Sequence, residues 1–184
     1  ADDLLLPDAF NIVTAYIKDY DAIWGSIAEI KPHCKEAFLR TPQVAPIRDI
    51  QSVLSADPFL TLQIGHFVRT EVALHNLFDE TMDTGEDFDY HLRVWDQWRC
   101  IKIEDPLFIN RRGFHSIGPK SANGADWRTS VETTINHYQK KYGIGREHYQ
   151  KQMVSTASPN SKMSNELLRK NLSLIKNRWP LLAA

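Results

Sequence analysis

The sequence contains little cysteine and no long apolar run. Its 184 residues include only two cysteines, Cys34 and Cys100, which are too few for a disulfide framework and lack the spacing of a zinc knuckle. No apolar stretch approaches the roughly 20 residues that a membrane-spanning helix needs. There is also no Gly-x-Ser-x-Gly elbow and no Gly-Lys-Ser/Thr run, so neither a serine nucleophile nor a phosphate-binding loop is visible. These absences predict a soluble, non-enzymatic protein without a cofactor.

Charge is distributed unevenly along the chain. Residues 1–92 contain 6 Lys and Arg against 16 Asp and Glu, and residues 93–184 contain 16 against 7, so the two halves carry formal net charges of −10 and +9. A basic half of this kind is typical of a surface that contacts a polyanion or an acidic partner. The alternative is that the two halves pack together and neutralise each other. The sequence leaves both interpretations open.

Apolar residues recur at helical spacing along most of the chain. The pattern predicts an all-α domain, irregular and built from seven to nine helices, with one short extended pair near residues 100–110. The loop at 110–124 is the best boundary, between an acidic helical core region (1–109) and a basic C-terminal helical region (110–184) that we expect to pack with it as one domain. The predicted helices cover residues 8–24, 35–39, 47–55, 59–82, 87–98, 125–142, 146–155 and 161–179.

The first candidate site lies in the basic half. Residues 135–154, INHYQKKYGIGREHYQKQMV, resemble a helix-turn-helix unit, in which Gly143 matches the glycine of the turn and Arg146 begins the second helix. In that family the second helix enters the DNA major groove, so the resemblance implies contacts to bases and phosphates. The alternative is a plain pair of helices joined by a glycine turn. The residues assigned to nucleic acid by the resemblance are Lys140, Lys141, Arg146, Gln150 and Lys151.

The second candidate site is the loop at 110–124, NRRGFHSIGPKSANG, which contains three glycines and three formal positive charges. Backbone N–H groups of such a loop, followed by a helix N-terminus, are able to hold an anion. The alternative is a solvated surface loop. The candidate anion-binding residues in and beside the loop are Lys102, Arg111, Arg112, His115 and Lys120.

A third pattern lies in the predicted helix 59–82. Arg69 and His75 form an R-x5-H arrangement that is similar to the motif of HEPN-type helical ribonucleases. The resemblance implies that both side chains share an inward helical face and act on a scissile phosphate. Two alternatives compete with it: ordinary helix-surface contacts, and half of a metal site formed by Glu71 and His75. In the metal interpretation the further ligands would be His66, Glu80 or His91.

The chain begins Ala1-Asp2-Asp3, without Met. We expect a cytoplasmic location, and the alternative is a processed organellar or periplasmic N-terminus. Under that alternative a bridge between Cys34 and Cys100 becomes conceivable.

Together these patterns predict a non-enzymatic nucleic-acid-binding protein that uses its basic C-terminal half. One alternative is a structural subunit of a larger assembly, with a protein partner or further copies of itself. The other is a HEPN-like ribonuclease, with Arg69 and His75 as its catalytic residues. No membrane span is expected.

If the basic half binds nucleic acid, the full chain will be retained on random duplex DNA or RNA at low salt. Retention should fall steeply as salt rises, because neutralised phosphates release their counterions. A filter-retention assay across a salt series measures this, and a complete lack of retention at low salt would contradict the prediction.

Overall fold

We describe the fold from a computed structural model of the chain. The described residues are 3–30, 37–40, 45–56, 61–62, 65–111 and 124–145. This part of the chain contains seven short strands and five helices, which form two mixed sheets and the helices packed against them. The fold class is therefore α/β, and the prediction of an all-α domain of seven to nine helices is wrong.

Short strands alternate with short helices along much of the described chain. The strands are β1 (Leu4–Leu5), β2 (Ala22–Trp24), β3 (Ala28–Ile30), β4 (Phe38–Leu39), β5 (His66–Val68), β6 (Cys100–Lys102) and β7 (Phe108–Arg111). The helices are α1 (Ala9–Thr14), α2 (Ile50–Ser55), α3 (Thr70–His75), α4 (Glu86–Gln97) and α5 (Ala125–Lys141).

Two chain segments run parallel through both sheets. β2 is parallel to β6, with Trp24 opposite Lys102, and β3 is parallel to β7, with Ala28 opposite Ile109. β5 adds to β2, β4 to β3 and β1 to β7, each in the antiparallel direction. The resulting strand orders are β5-β2-β6 and β1-β7-β3-β4.

Gly25 is required where the two parallel segments pass from one sheet to the other. A Cβ atom at this position would lie 2.7 Å from the carbonyl oxygen of Asp105 and 2.8 Å from Leu107. The next residue, Ser26, donates its backbone N–H to the same Asp105 carbonyl at 3.0 Å. A side chain at position 25 would therefore push the segments apart.

Alternation along the central strands divides the apolar residues between two cores. Ile23 and Ile101 face a cluster that includes Val13 of α1. Trp24 and Cys100 face the opposite cluster, which α2, α4 and α5 cover. β2 and β6 are thus buried on both faces, as is typical of parallel strands in the interior of a fold.

Tertiary burial explains where the helix predictions fail. The spacing from residue 8 to residue 24 fits a helix, but α1 ends at Thr14 and the run Ala22–Trp24 is a strand buried on both faces. The predicted helix 59–82 contains β5 and the six-residue α3 instead. Residues 38–39, inside a predicted helix, form β4.

Other predicted elements agree with the structure. The helices predicted at 47–55, 87–98 and 125–142 are confirmed as α2, α4 and α5 with slightly shifted ends. The extended pair predicted near residues 100–110 is only partly correct, because β6 and β7 are strands there but β6 pairs with β2, and β7 pairs with β1 and β3.

The remaining helix predictions cannot be compared. The helices predicted at 146–155 and 161–179 lie outside the described residues. Within the described residues, no helix has both the length and the apolar character to cross a bilayer.

Leu92 of α4 is fully buried, whereas Leu5 of β1 is 41% exposed. We expect Leu92→Ala to lower the free energy of unfolding by about 2–5 kcal/mol, because it removes buried methyl groups and leaves a cavity. Leu5→Ala should cost about 1 kcal/mol or less, since much of that side chain already contacts water. Urea unfolding monitored by circular dichroism measures both values, and equal losses would contradict the assignment of the core.

Candidate functional site at the carboxyl ends of the parallel strands

Three chemically different side chains lie side by side at one edge of the three-stranded sheet. His66 is opposite Trp24 in the pairing of β5 with β2, and Trp24 is opposite Lys102 in the pairing of β2 with β6. Directly opposed residues project from the same face of a sheet, so the three form a row. Trp24 and Lys102 are the last residues of parallel strands, and this carboxyl edge is where open α/β sheets bind ligands.

Gly65 sets the position of His66 at this edge. Its φ of +114° lies in a region that side chains other than glycine rarely adopt, and a Cβ here would meet the Cβ of Phe108 at 2.9 Å. The strand β5 therefore begins immediately after a backbone position whose conformation favours glycine. The conformation brings His66 into register with Trp24.

Helix α4 covers the row with two further rings. His91 and Trp95 are four residues apart and share one face of α4. The His91 ring lies 5.0 Å from His66 and 5.7 Å from Trp24, and the Trp95 ring lies 5.4 Å from Trp24. Trp24 and His66 are stacked, with ring centroids 4.6 Å apart. We call these four residues the imidazole–indole cluster.

Each ring of this cluster has a buried nitrogen without a hydrogen-bond partner in the described part of the chain. The atoms are Nε1 of Trp24, Nε1 of Trp95, Nδ1 of His66 and Nδ1 of His91. Buried polar atoms in native proteins are nearly always paired, and an unpaired one costs about 1–3 kcal/mol. Four of them in one contact group identify this group, and not the packed core around it, as the candidate binding site.

Burial keeps both imidazoles neutral. It lowers the pKa of His66 to about 4 and holds the pKa of His91 well below its usual value, and His66 lowers the pKa of His91 further. A neutral imidazole has one nitrogen that donates and one that accepts a hydrogen bond, whereas an indole nitrogen only donates. The cluster therefore presents donors and acceptors without a formal charge.

Lys102 fixes the structure next to the cluster. Its side chain is fully buried, and Nζ donates to the carbonyl oxygens of Thr61 at 2.9 Å and Gly25 at 3.3 Å. Burial lowers the pKa of Lys102 to about 7, and the positive charge of Arg40 acts in the same direction. Lys102 thus joins two separate chain segments at the sheet edge from inside, and it is not a surface contact of the loop at 110–124.

Only part of the predicted nucleic-acid surface can be placed. Arg111 ends β7 with an exposed side chain, and its backbone N–H donates to the Asp3 carboxylate at 2.9 Å. Lys140 is exposed, and Lys141 forms an ion pair with Asp96 at 2.7 Å. These assignments stay predictions. The other assigned residues lie outside the described part: Arg112, His115, Lys120, Arg146, Gln150 and Lys151.

The first half of the helix-turn-helix-like run is packed into the fold. Gly143 follows α5 with a φ of +67°, as expected of a glycine that ends a helix. Gln139 stands where such a unit usually has a small residue. It is buried and donates from Nε2 to the carbonyl oxygen of Leu54 in α2 at 3.1 Å. Residues 146–154 lie outside the described part.

Within the described fold, carboxylates form ion pairs with several arginine side chains. Asp21 pairs with both Arg99 and Arg69 at 3.2 Å, and Asp89 pairs with Arg93 at 2.7 Å. The described residues contain 11 Lys and Arg against 18 Asp and Glu, a formal charge of −7. The rest of the chain contains 11 against 5, a formal charge of +6. The described fold is therefore acidic.

Arg69 and His75 lie at opposite ends of the short helix α3. Arg69 immediately precedes α3 and binds Asp21 and the Ile17 carbonyl, whereas His75 is the exposed last residue of α3 and contacts Trp98. The long helix whose inward face would carry both is replaced by β5 and α3.

The described residues form neither a metal-binding site nor a reactive cysteine site. The described residues contain no group of three or more His, Cys, Asp or Glu side chains able to hold a metal ion. Cys100 is a buried free thiol whose pKa is raised by burial, and a protonated buried thiol is a poor nucleophile. Cys34 lies outside the described residues.

The sequence interpretation did not identify this cluster. It considered His66 and His91 only as further ligands of a metal site formed by Glu71 and His75. The one local signal is Lys102, which stands between Ile101 and Ile103 in an apolar strand. A charged residue there needs buried partners, but the sequence does not say which.

No protein-family model and no curated protein matches this chain, so its function has to be argued from the geometry.

The two neutral histidines predict a loss of stability in mild acid. Below pH 6.5 the unfolded chain binds protons at these histidines, whereas the folded cluster stays neutral until its lower pKa values are reached. Stability is thus fully present above pH 6.5 and falls by up to about 1.4 kcal/mol per pH unit for each histidine.

His91→Phe should reduce this loss between pH 7 and pH 5 by about 2 kcal/mol relative to the wild type. Urea unfolding at the two pH values measures the difference, and His137→Gln, which changes an exposed histidine of α5, is the control. A loss in His91→Phe as large as that of the wild type would contradict the burial of a neutral His91.

Proposed function

We propose that this chain binds a small organic carboxylate at the imidazole–indole cluster. The observation that carries the proposal is the group of four unpaired buried nitrogens at the carboxyl ends of β2 and β6. A ligand that accepts from the two indole N–H groups and forms hydrogen bonds with the two imidazole nitrogens would remove the cost of leaving them unpaired.

The donor set selects an acceptor ligand. Trp24 and Trp95 offer indole N–H groups, which cannot accept a hydrogen bond. No described carboxylate contributes to the pKa shift of His66 or His91, so no described negative charge acts on these two rings. These surroundings favour oxygen atoms with partial or full negative charge over a cationic ligand.

The rings around the donors favour an apolar body on the ligand. Tyr90 lies 5.8 Å from the His66 ring and 5.9 Å from the His91 ring, and Phe88 lies 6.3 Å from His91. Binding sites for small molecules usually combine such aromatic walls with a few directed polar groups. His66 is half-buried as a residue while Trp24 and His91 are fully buried, so a ligand would enter past His66.

Nucleic-acid binding by the basic C-terminal half stays a second, separate prediction. It is supported by the charge of residues 93–184 and by the helix-turn-helix resemblance. The acidic character of the described fold means that the cations outside it would have to provide most of the phosphate contacts.

Titration with benzoate tests the carboxylate proposal. We expect saturable shifts of the indole N–H resonances of Trp24 and Trp95 in the ¹⁵N-labelled chain, because these two groups would gain an acceptor. Acetate and inorganic phosphate serve as comparison probes that lack the apolar body or the carboxylate.

Trp24→Phe keeps a ring but removes the donor, and should weaken benzoate binding by roughly tenfold or more. Trp98→Phe removes another unpaired buried indole nitrogen, outside the cluster, and should leave binding unchanged. The proposal fails if benzoate gives no saturable shifts, if phosphate or acetate binds as tightly as benzoate, or if both variants lose binding equally.

A further inference from the structure

A second surface of the described fold is both apolar and acidic. Leu74, Leu77 and Phe78 are 71%, 69% and 56% exposed, which places three large apolar side chains in water within five residues. No Lys or Arg occurs between residues 70 and 92. We call residues 71–83 the acidic ridge. Its exposed carboxylates belong to Glu71, Asp79, Glu80 and Asp83.

The ridge is held in place by the fold. Arg93 of α4 donates to the carbonyl oxygen of Leu77 at 2.7 Å, and the Phe78 ring packs 5.0 Å from Tyr90. Asn76 is buried and donates from Nδ2 to the carbonyl oxygen of Val72 at 3.0 Å. The backbone therefore presents Leu74 and Leu77 outward from an ordered base. Exposed apolar groups concentrated in this way typically mark an interaction site.

The sequence contains a segment with the complementary pattern. Residues 161–184, outside the described part, contain five Lys and Arg against one Glu, a formal charge of +4. Apolar residues recur through this segment at helical spacing. They are Leu168, Leu172, Ile175 and Trp179. A basic segment with an apolar stripe is the partner that an acidic, apolar surface selects.

The chain leaves the described fold close to the ridge. At the end of α5, Lys141 is bound to Asp96 of α4 at 2.7 Å, and two residues beyond Asp96 the Trp98 ring contacts His75 of the ridge at 5.8 Å. Fifteen residues, 146–160, then precede the basic segment. Fully extended, they span up to about 50 Å, which is ample for a return to the ridge.

We propose that residues 161–184 bind the acidic ridge of the same chain. Contact with the stripe removes Leu74 and Leu77 from water, and the lysines and arginines of the segment meet carboxylates of the ridge. Because the segment is tethered, its effective concentration at the ridge is of the order of millimolar, so modest contacts suffice. This proposal does not rest on the proposed ligand binding at the imidazole–indole cluster.

Zero-length carbodiimide cross-linking of the full chain tests this contact. The reagent joins lysine amines to nearby carboxylates, and mass spectrometry should find Lys170 or Lys176 linked to Asp79, Glu80 or Asp83. An equal mixture of ¹⁴N- and ¹⁵N-labelled protein should give only same-isotope pairs, and 1 M salt should suppress the links because it screens exposed charges.

Leu77→Ser should reduce the yield of these links severalfold and speed tryptic cleavage after Arg169 by a similar factor. Leu5→Ser, which changes an exposed leucine of the four-stranded sheet, should alter neither. Mixed-isotope links would mean that a second copy supplies the segment, and would overturn the proposal. It is equally overturned if the ridge forms no links with residues 161–184, or if Leu77→Ser behaves as the wild type.

Discussion

The parallel pairing of residues 22–30 with residues 100–111 is the constraint on which the rest of the structure depends. It forms the centre of both sheets, and each further strand in the described part of the chain adds to one of these two segments. The partners are about 80 residues apart in the chain, so the pairing is stable only when helices bury both faces. Gly25 allows the close approach at the point where the segments cross between sheets. The same pairing places Trp24 beside Lys102 at a carboxyl edge.

Desolvation then determines the chemistry at that edge. Two histidines that would titrate near pH 6.5 in water are held neutral because α4 closes over the sheet. Lys102 keeps a polar head in the interior by donating to the backbone carbonyls of Gly25 and Thr61. The edge thus holds four of the five buried side-chain nitrogens that lack a hydrogen-bond partner among the described residues. These four nitrogens are the basis on which we propose ligand binding at this edge.

Ion pairs within the fold explain part of the uneven distribution of charge along the sequence. Asp21 pairs with Arg99 and Asp89 pairs with Arg93, so carboxylates of the first half neutralise cations of the second half inside the described fold. What remains is an acidic body, and the excess of positive charge belongs to residues outside it. The sequence-derived alternative of neutralisation within the chain therefore accounts for part of the asymmetry. The proposed contact of residues 161–184 with the acidic ridge extends the same principle.

The sequence by itself determined the elements whose signals are local. Apolar spacing predicted α2, α4 and α5, Gly143 marked the end of α5, and the alternation at 100–103 indicated β6. The tertiary structure alone decided that Ala22–Trp24 is a strand, since a short apolar run fits a strand and a helix equally well until its neighbours are known. It also decided the candidate site. His66, Trp24, Lys102 and His91 come from four separate elements, and only strand register and helix packing bring them together.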